Sequence, residues 1–297
     1  MQSIAVKSFA KINLSLNITG VAQAMHTLDM IVTSVNLADV IVVKKQKHDS
    51  IGVRYSTPLI QVGKDSVSKA VALFKQQYGC EGLDISVQKN IPLSGGMGGS
   101  SVDAAGVLHA LATMYNTQDV KGLAQIAARV GSDVPYLLQG GYARVGGMGE
   151  AVEYFESDKV FHIMVAQQQG SGVLSGDAYM MFDRLYPTKM YNPSCNDRLQ
   201  KGLTGSSAFK EWNELANALT LPSIKLDNSI GKILGYLHES SGNLKAMMTG
   251  SGSCCVGFYK TAQEAHNAVD FIKSKACAGK HIDVTALQTQ NYGMKIV

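Results

Sequence analysis

The stretch "IPLSGGMGGSSVDAAGVLHAL", residues 91–111, is the densest concentration of functional chemistry in this sequence. From Ser94 to Ser101 it sets four glycines and three serines within eight residues, and an apolar helical pattern follows. Glycine has no Cβ, so the backbone N–H groups of such a loop can close on an anion. The first turn of the next helix adds free N–H groups and the positive end of its dipole. Phosphate is the ligand this suits, and the hydroxyls of Ser100 and Ser101 can either cap the helix or ligate magnesium. A glycine cluster alone also builds a plain turn; the strand before it and the helix after it favour phosphate here. Two more stretches stand at a distance, "GSDVP" at 131–135 and "MTGSGS" at 248–253. The second is either a hairpin turn or a second loop that approaches the first and closes over a nucleotide. Neither G-x-x-x-x-G-K-[ST] nor G-x-G-x-x-G occurs, which disfavours the two common nucleotide folds.

Positioning this loop takes a strand in front and a helix behind. "LDISVQKNI" alternates as a strand and runs into Pro92, while "DAAGVLHALATMYN" has helical spacing. Upstream, "SIAVKSFAKINLSLNITG" reads as one or two strands and "MIVTSVNLADVIVVKKQ" as another pair. "DSVSKAVALFKQQYG" predicts a helix, with Asp65 or Ser66 as cap, Val67, Ala70, Val71 and Phe74 as its apolar face, and Gly79 past its end. "DVKGLAQIAARVG" predicts another helix ended by Gly131, and "SDVPYLLQGGYARVGGMGEAVEYF" predicts turns between short strands. The first domain is expected to end near residue 155. Beyond it come a strand at "KVFHIMVAQQ", a helix at "SGDAYMMFDRLY" and a Pro/Asn/Ser-rich connection over 187–198. Helices at "SSAFKEWNELANAL" and "NSIGKILGYLHESSG" are expected next, then strand, turn, strand, helix and strand to the end. Strands and helices segregate in blocks, which predicts an α+β build and not a doubly wound parallel sheet.

A chain of 297 residues, 45% hydrophobic and 17% charged, suits two folded domains without long disordered stretches. The formal charge is +4, but the 27 Lys and Arg are scattered, which argues against a nucleic-acid partner. The excess fits either phosphorylated substrates or a solvated surface. Cys80, Cys195, Cys254, Cys255 and Cys277 form no C-x-x-C pair and no disulfide framework, so they read as free buried thiols in a reducing compartment. No run of 18 apolar residues occurs and the start alternates like a strand, so neither a membrane span nor a leader is expected. The expected place is the cytoplasm.

Four stretches in order carry a resemblance: "FAKINLSLNITG" at 9–20, "IPLSGGMGGSSVDAA" at 91–105, "GSDVPYLLQGGYARVGGMGE" at 131–150 and "MTGSGSCCVGFY" at 248–259. Together they resemble the GHMP small-molecule kinases, named for galactokinase, homoserine kinase, mevalonate kinase and phosphomevalonate kinase. Within these they are most similar to the branch of diphosphocytidyl-methylerythritol kinases of non-mevalonate isoprenoid synthesis. The resemblance implies a two-domain fold, with an N-terminal glycine-loop domain at 1–155 and a ferredoxin-like C-terminal domain at 156–297 completing the substrate cleft. ATP and Mg2+ are implied, with a small-molecule acceptor and a monomer or homodimer as the assembly. The ATP-binding residues it implies are Pro92, Leu93, Ser94, Gly95, Gly96, Met97, Gly98, Gly99, Ser100 and Ser101, with Asp65 near the adenine and Ser100 toward the metal. Asp133 matches the aspartate that takes the proton from the accepting hydroxyl, and Lys11 the lysine beside it. Asp103 matches a position on the phosphate helix, and Asn13, His26, Tyr179, Gly250 and Ser251 match the substrate side.

Departures from the family pattern concentrate on the substrate side. The family's D-G-Y-H-E segment reads "QAMHT" here: His26 is kept, Met25 replaces the tyrosine, and the Asp-Gly is missing. A thioether packs on a ring less directionally than an aromatic does. The opposite wall, G-V-S-T-P-x-x-F in the family, reads "GVLSGDAY", with Tyr179 able to stack on a base and Ser175 altering the hydroxyl pattern. Ser100 and Ser101 sit one place earlier than in many of these kinases, closer to the mevalonate type. Phosphoryl transfer is therefore the expectation that the residues favour most strongly, with the cytidine compound as acceptor; the alternatives are another small alcohol, or a nucleotide-binding relic without turnover, against which intact Lys11 and Asp133 argue.

Overall fold

The structure, a computed structural model, describes residues 2–187, 194–275 and 281–297. Cys277 and residues 188–193 of the Pro/Asn/Ser-rich connection lie outside the described residues. The N-terminal half runs β1 (Ser3–Ala22), β2 (Met25–Lys45), β3 (Ile51–Tyr55), α1 (Ser66–Tyr78), β4 (Leu83–Gln88), α2 (Gly99–Met114), α3 (Val120–Val130), α4 (Val134–Leu137), β5 (Ala143–Gly147) and β6 (Ala151–Tyr154). The C-terminal half runs β7 (His162–Gln168), α5 (Ser175–Leu185), α6 (Ser194–Thr204), β8 (Ala216–Asn217), α7 (Thr220–Leu226) and α8 (Asn228–Glu239). It finishes with β9 (Lys245–Met248), β10 (Cys255–Tyr259), α9 (Ala262–Ser274), β11 (Ile282–Gln290) and β12 (Met294–Ile296).

β1 and β2 form one long antiparallel hairpin. The expected pair of strands over 30–46 is instead the single strand β2, because it changes partner along its length: β5 at Leu28–Val32, β11 at Ser34–Val35 and β4 at Val40–Lys45. The middle of β1, from Ser8 to Leu16, is buried throughout. That explains why "FAKINLSL" carries polar residues without exposing them. Ile12 and Leu14 belong to the hydrophobic core, whereas Lys11, Asn13 and Ser15 alternate with them on the opposite face of the strand. Asp65 caps α1 as expected, its side chain accepting from Ser68 N, and Val67, Ala70, Val71 and Phe74 are buried.

In the C-terminal half β11, β7, β10 and β9 lie side by side, all antiparallel. With α8 between β7 and β9, and α9 between β10 and β11, this is the β-α-β-β-α-β ferredoxin-like arrangement, and α5, α6 and α7 are inserted before α8. The α+β expectation therefore holds. β12 returns to pair with β1, so the last strand adds to the N-terminal sheet.

The expected helix at "SSAFKEWNELANAL" does not form. The segment makes a single 3-10 turn at Trp212–Glu214 and then β8. Tertiary contacts override propensity there: Phe209 and Trp212 pack edge-on around Phe161, and the Asn217 amide donates to the carbonyls of Met248 and Gly250. "SDVP", read as a turn, opens the one-turn helix α4. The short β3, α7 and β12 carry little periodicity and fall outside the expected elements, and so does α6, which begins at Ser194 inside the connection expected over 187–198.

Candidate active site

β4 leads into the glycine loop and α2 leaves it. α2 starts from Gly98 in the left-handed region, with no side-chain cap. Ser100 and Ser101 therefore do not cap this helix, and their hydroxyls, in its first turn, line a cleft of about 870 Å³. "MTGSGS" is not a free-standing hairpin turn. Ser253 N donates to Ser94 O and Cys254 N to Gly95 O, both at 3.1 Å, so this second turn is joined to the glycine loop across the cleft floor. The approach requires glycine on both sides: a Cβ on Gly96 would lie 2.2 Å from Thr249 O, and one on Gly250 would lie 2.4 Å from Gly96 O.

Lys11 and Asp133 meet at this cleft, Lys11 Nζ lying 3.5 Å from Asp133 Oδ2. Lys11 is no solvated strand lysine, its side chain being 5% exposed, and Nζ donates to Asn13 Oδ1 at 2.8 Å. Asp133 occupies the N-cap position of α4 yet its side chain makes no capping bond; it is 32% exposed and faces the cleft. A carboxylate left free of capping beside a buried ammonium is placed to accept a proton from an incoming hydroxyl.

Other sequence-singled residues take different places. The Met97 side chain is buried in the core, so only its backbone, whose carbonyl accepts from Lys11 N, bears on the site. Asp65 lines the cleft, but both its oxygens are held by the α1 cap, taking bonds from Ser68, Gly63 N and Tyr55 Oη. Those hydrogen bonds draw the Asp65 carboxyl below its ordinary range against the opposing effect of burial. Asn13 is fully buried and ties elements together: its Oδ1 also accepts from Gly250 N at 3.0 Å, and its N–H donates to Thr249 Oγ1. It holds Lys11 and the second turn in register. Ser251 and Gly250 line the cleft, and Ser251 Oγ meets Ser175 Oγ at 3.0 Å.

Asp103, on the second turn of α2, is 1% exposed and bonded to Lys89 Nζ at 2.6 Å; Lys89 also pairs with buried Asp39. Two carboxylates share one ammonium, and Asp103 Oδ1 has no hydrogen-bond partner. Burial, with Asp39 nearby and Lys89 opposing, pushes the Asp103 carboxyl up to about 8. Sequence reading missed Asp39 and Lys89, which lie far apart along the chain with no motif between them.

Outside the residues that line this cleft, His26 and Tyr179 are brought together, onto each other. Their rings stack with centroids 4.7 Å apart and planes 19° apart, and His26 Nε2 lies 2.9 Å from Asp183 Oδ1. Burial raises the Tyr179 hydroxyl well above its ordinary pKa. Met25 stands beside them at the hairpin tip, 53% exposed. A second cavity, about 540 Å³ and lined by Ile18, Phe182 and Leu221 among others, contains no acid–base pair.

A phosphate loop at a helix start, a facing loop of the same kind and a proton acceptor at their mouth make this a phosphotransferase site, the class in which positioning and charge do most of the work. Residues 65–141 match the family of GHMP kinases N terminal domains and residues 199–278 the family of GHMP kinases C terminal domains. The chain belongs to the GHMP kinases. A 4-diphosphocytidyl-2-C-methyl-D-erythritol kinase of Clostridium beijerinckii is 30% identical over 274 residues, 91% of this chain and 96% of that relative. A solved 4-(cytidine 5'-diphospho)-2C-methyl-D-erythritol kinase shares the fold at a TM-score of 0.72 and 23% identity, covering 95% of this chain and 98% of that one. Homoserine kinase from Cytophaga hutchinsonii does so at 0.75 and 16%, covering 100% and 98%. The chain is thus an ATP-dependent small-molecule kinase. Among the described residues no helix is long and apolar enough to cross a membrane.

Proposed function

We propose that this kinase transfers the γ-phosphoryl group of ATP to the 2-hydroxyl of 4-diphosphocytidyl-2-C-methyl-D-erythritol, in the cytoplasm. The observation that carries the reading is the Lys11–Asp133 pair at the mouth of a cleft floored by two joined glycine loops. Residues 1–155 supply the pair and the phosphate loop, and residues 156–297 supply the second turn and the 173–175 side of the cleft, with Tyr179 on the helix that begins there. The backbone N–H groups of residues 94–101 cradle the phosphates. Asp133 accepts the proton of the attacking hydroxyl, while Lys11 offsets charge on the phosphoryl group in flight. His26 and Tyr179 form the wall against which the cytosine is held, and Ser251 lies between that wall and the phosphates.

Among the described residues no three His, Cys, Asp or Glu side chains gather to hold a metal. That fits Mg2+, which is commonly held by substrate phosphates and one or two protein oxygens. The Ser100 hydroxyl, not engaged in capping, is the protein group we assign to it. When bound, Mg2+ neutralises charge on the β- and γ-phosphates.

A second reading, a different small alcohol as acceptor, is favoured by Met25 in place of an aromatic and by the His26–Tyr179 contact, which leaves no gap for a base. ADP release with Mg-ATP and the cytidine acceptor, run beside mevalonate, homoserine and galactose, separates the two. Turnover with the cytidine acceptor alone, abolished by Asp133→Asn, supports the first reading. Turnover with another acceptor and not with the cytidine compound overturns it.

A further inference from the structure

Gln167 lies near the end of β7, outside every motif considered above, and is 6% exposed. Its carboxamide nitrogen reaches three acceptors from separate segments: Leu93 O in the glycine loop at 3.1 Å, Ser253 Oγ in the second turn at 2.9 Å, and Ser171 O after β7 at 3.0 Å. Its oxygen accepts from the Cys254 thiol at 3.6 Å. Leu93 is 74 residues away in the chain and Ser253 is 86 residues away, so one side chain joins the two loops from beneath.

The requirement is specific to a carboxamide. Two polarised N–H bonds fork from one nitrogen, and they face two carbonyls and a hydroxyl, all able to accept. A carboxylate in the same place would turn lone pairs toward both carbonyls. Asparagine is one methylene shorter and falls short of Leu93 and Ser253 together. The joined backbones leave few other side-chain ties between the loops, since Asn13 reaches only the second turn. Gln167 also stands apart from the Lys11–Asp133 pair, making no bond to either residue.

We propose that Gln167 is a positioning residue that sets the separation of the two glycine loops and thereby the affinity for ATP, without acting on the acceptor. This rests on the reading that the loops hold the phosphates of ATP. The isosteric Gln167→Met removes every hydrogen bond while retaining volume.

The test is equilibrium titration with a non-hydrolysable ATP analogue, paired with the acceptor KM. For Gln167→Met the analogue is expected to bind about tenfold more weakly, with the acceptor KM within about twofold of wild type. Ser253→Ala, which removes one of the three acceptors, is expected to weaken the analogue about threefold and keeps the test available if Gln167→Met fails to fold. Unchanged analogue affinity in the variants that fold overturns the inference. So does an equal loss of nucleotide and acceptor, which marks general loosening. Wild-type protein that binds no analogue overturns the ATP reading and this inference together.

Discussion

The phosphate end of the cleft and the hairpin tip to which we assign the acceptor are built on opposite terms. At the phosphate end Gly96 and Gly250 touch backbone to backbone, two main-chain bonds join the loops, and Asn13 ties Lys11 to the second turn. Neither glycine can be enlarged without a clash. At the hairpin tip, to which we assign the acceptor, β1 and β2 turn through Gln23 and Ala24, with φ of +51° and +61°; Met25 is half exposed, and His26 is held by its stack on Tyr179, an edge-on contact with Phe182 and a hydrogen bond with Asp183. A two-residue turn left-handed at both positions favours Asn-Gly or Asp-Gly, and this chain keeps the turn without those residues. On the proposed reading, the phosphate loops are therefore fixed by hydrogen bonds and steric constraint, whereas recognition of the acceptor is assigned to a few side chains at the hairpin tip.

The strongest way to break this contrast is at the proton acceptor. Asp133→Asn is expected to lower kcat by about 10²–10⁴ while ATP binds as before, and stopped assays alongside nucleotide titration check it. An equal loss of ATP binding would merge the two ends into one unit. A smaller effect is expected at the other end: Tyr179→Ala raises the acceptor KM about ten- to a hundredfold, from the roughly 1–3 kcal/mol of one base-stacking platform, with the ATP KM unchanged.

The phosphate end carries a pH signature of its own in Asp103. Asp103 binds its proton more tightly in the folded chain, up to about 8, than in the unfolded chain, where its value is the ordinary 3.8. Its contribution to stability is complete below the lower value and is lost as pH rises toward the upper one. Thermal unfolding of the wild type is expected to lose several degrees between pH 5 and pH 8 through this group, and Asp103→Asn to flatten that part of the profile. An unchanged slope in the variant would assign the pH dependence elsewhere. The smallest effect is at the hairpin tip, where Gln23→Asn with Ala24→Gly relieves two left-handed positions and raises stability by about 1 kcal/mol, with ATP affinity unaltered. Denaturant midpoints measure it.

The phosphate end was also the legible end. Glycines spaced in "SGGMGGSS", the Asp65 cap and the apolar stripe of α1 are local signals, and each led to the element that formed. "GSDVP" and "AKINL" placed Asp133 and Lys11 only through their resemblance, because nothing local says that residues 122 positions apart meet. Met97 enters the loop set through the resemblance, and its burial is not legible locally: a residue between glycines carries no sign that its side chain turns into the core and leaves only its backbone at the loop. Gln167, Asn217 and the Lys89–Asp39 pair were invisible for the same physical reason: each acts by long-range hydrogen bonds or charge, and a single polar residue in a strand or loop leaves no periodic trace. The segment 206–219 failed in the opposite sense, its good helical pattern losing to the aromatic cluster around Phe161.

One rate comparison tests the division most directly: kcat at saturating acceptor for Asp133→Asn and for His26→Ala, each with saturating Mg-ATP. The division predicts that His26→Ala recovers the wild-type rate once enough acceptor is supplied, while Asp133→Asn stays slow at any concentration. If His26→Ala stays as slow as Asp133→Asn at saturation, the acceptor end takes part in the chemical step and the separation of chemistry from recognition is wrong.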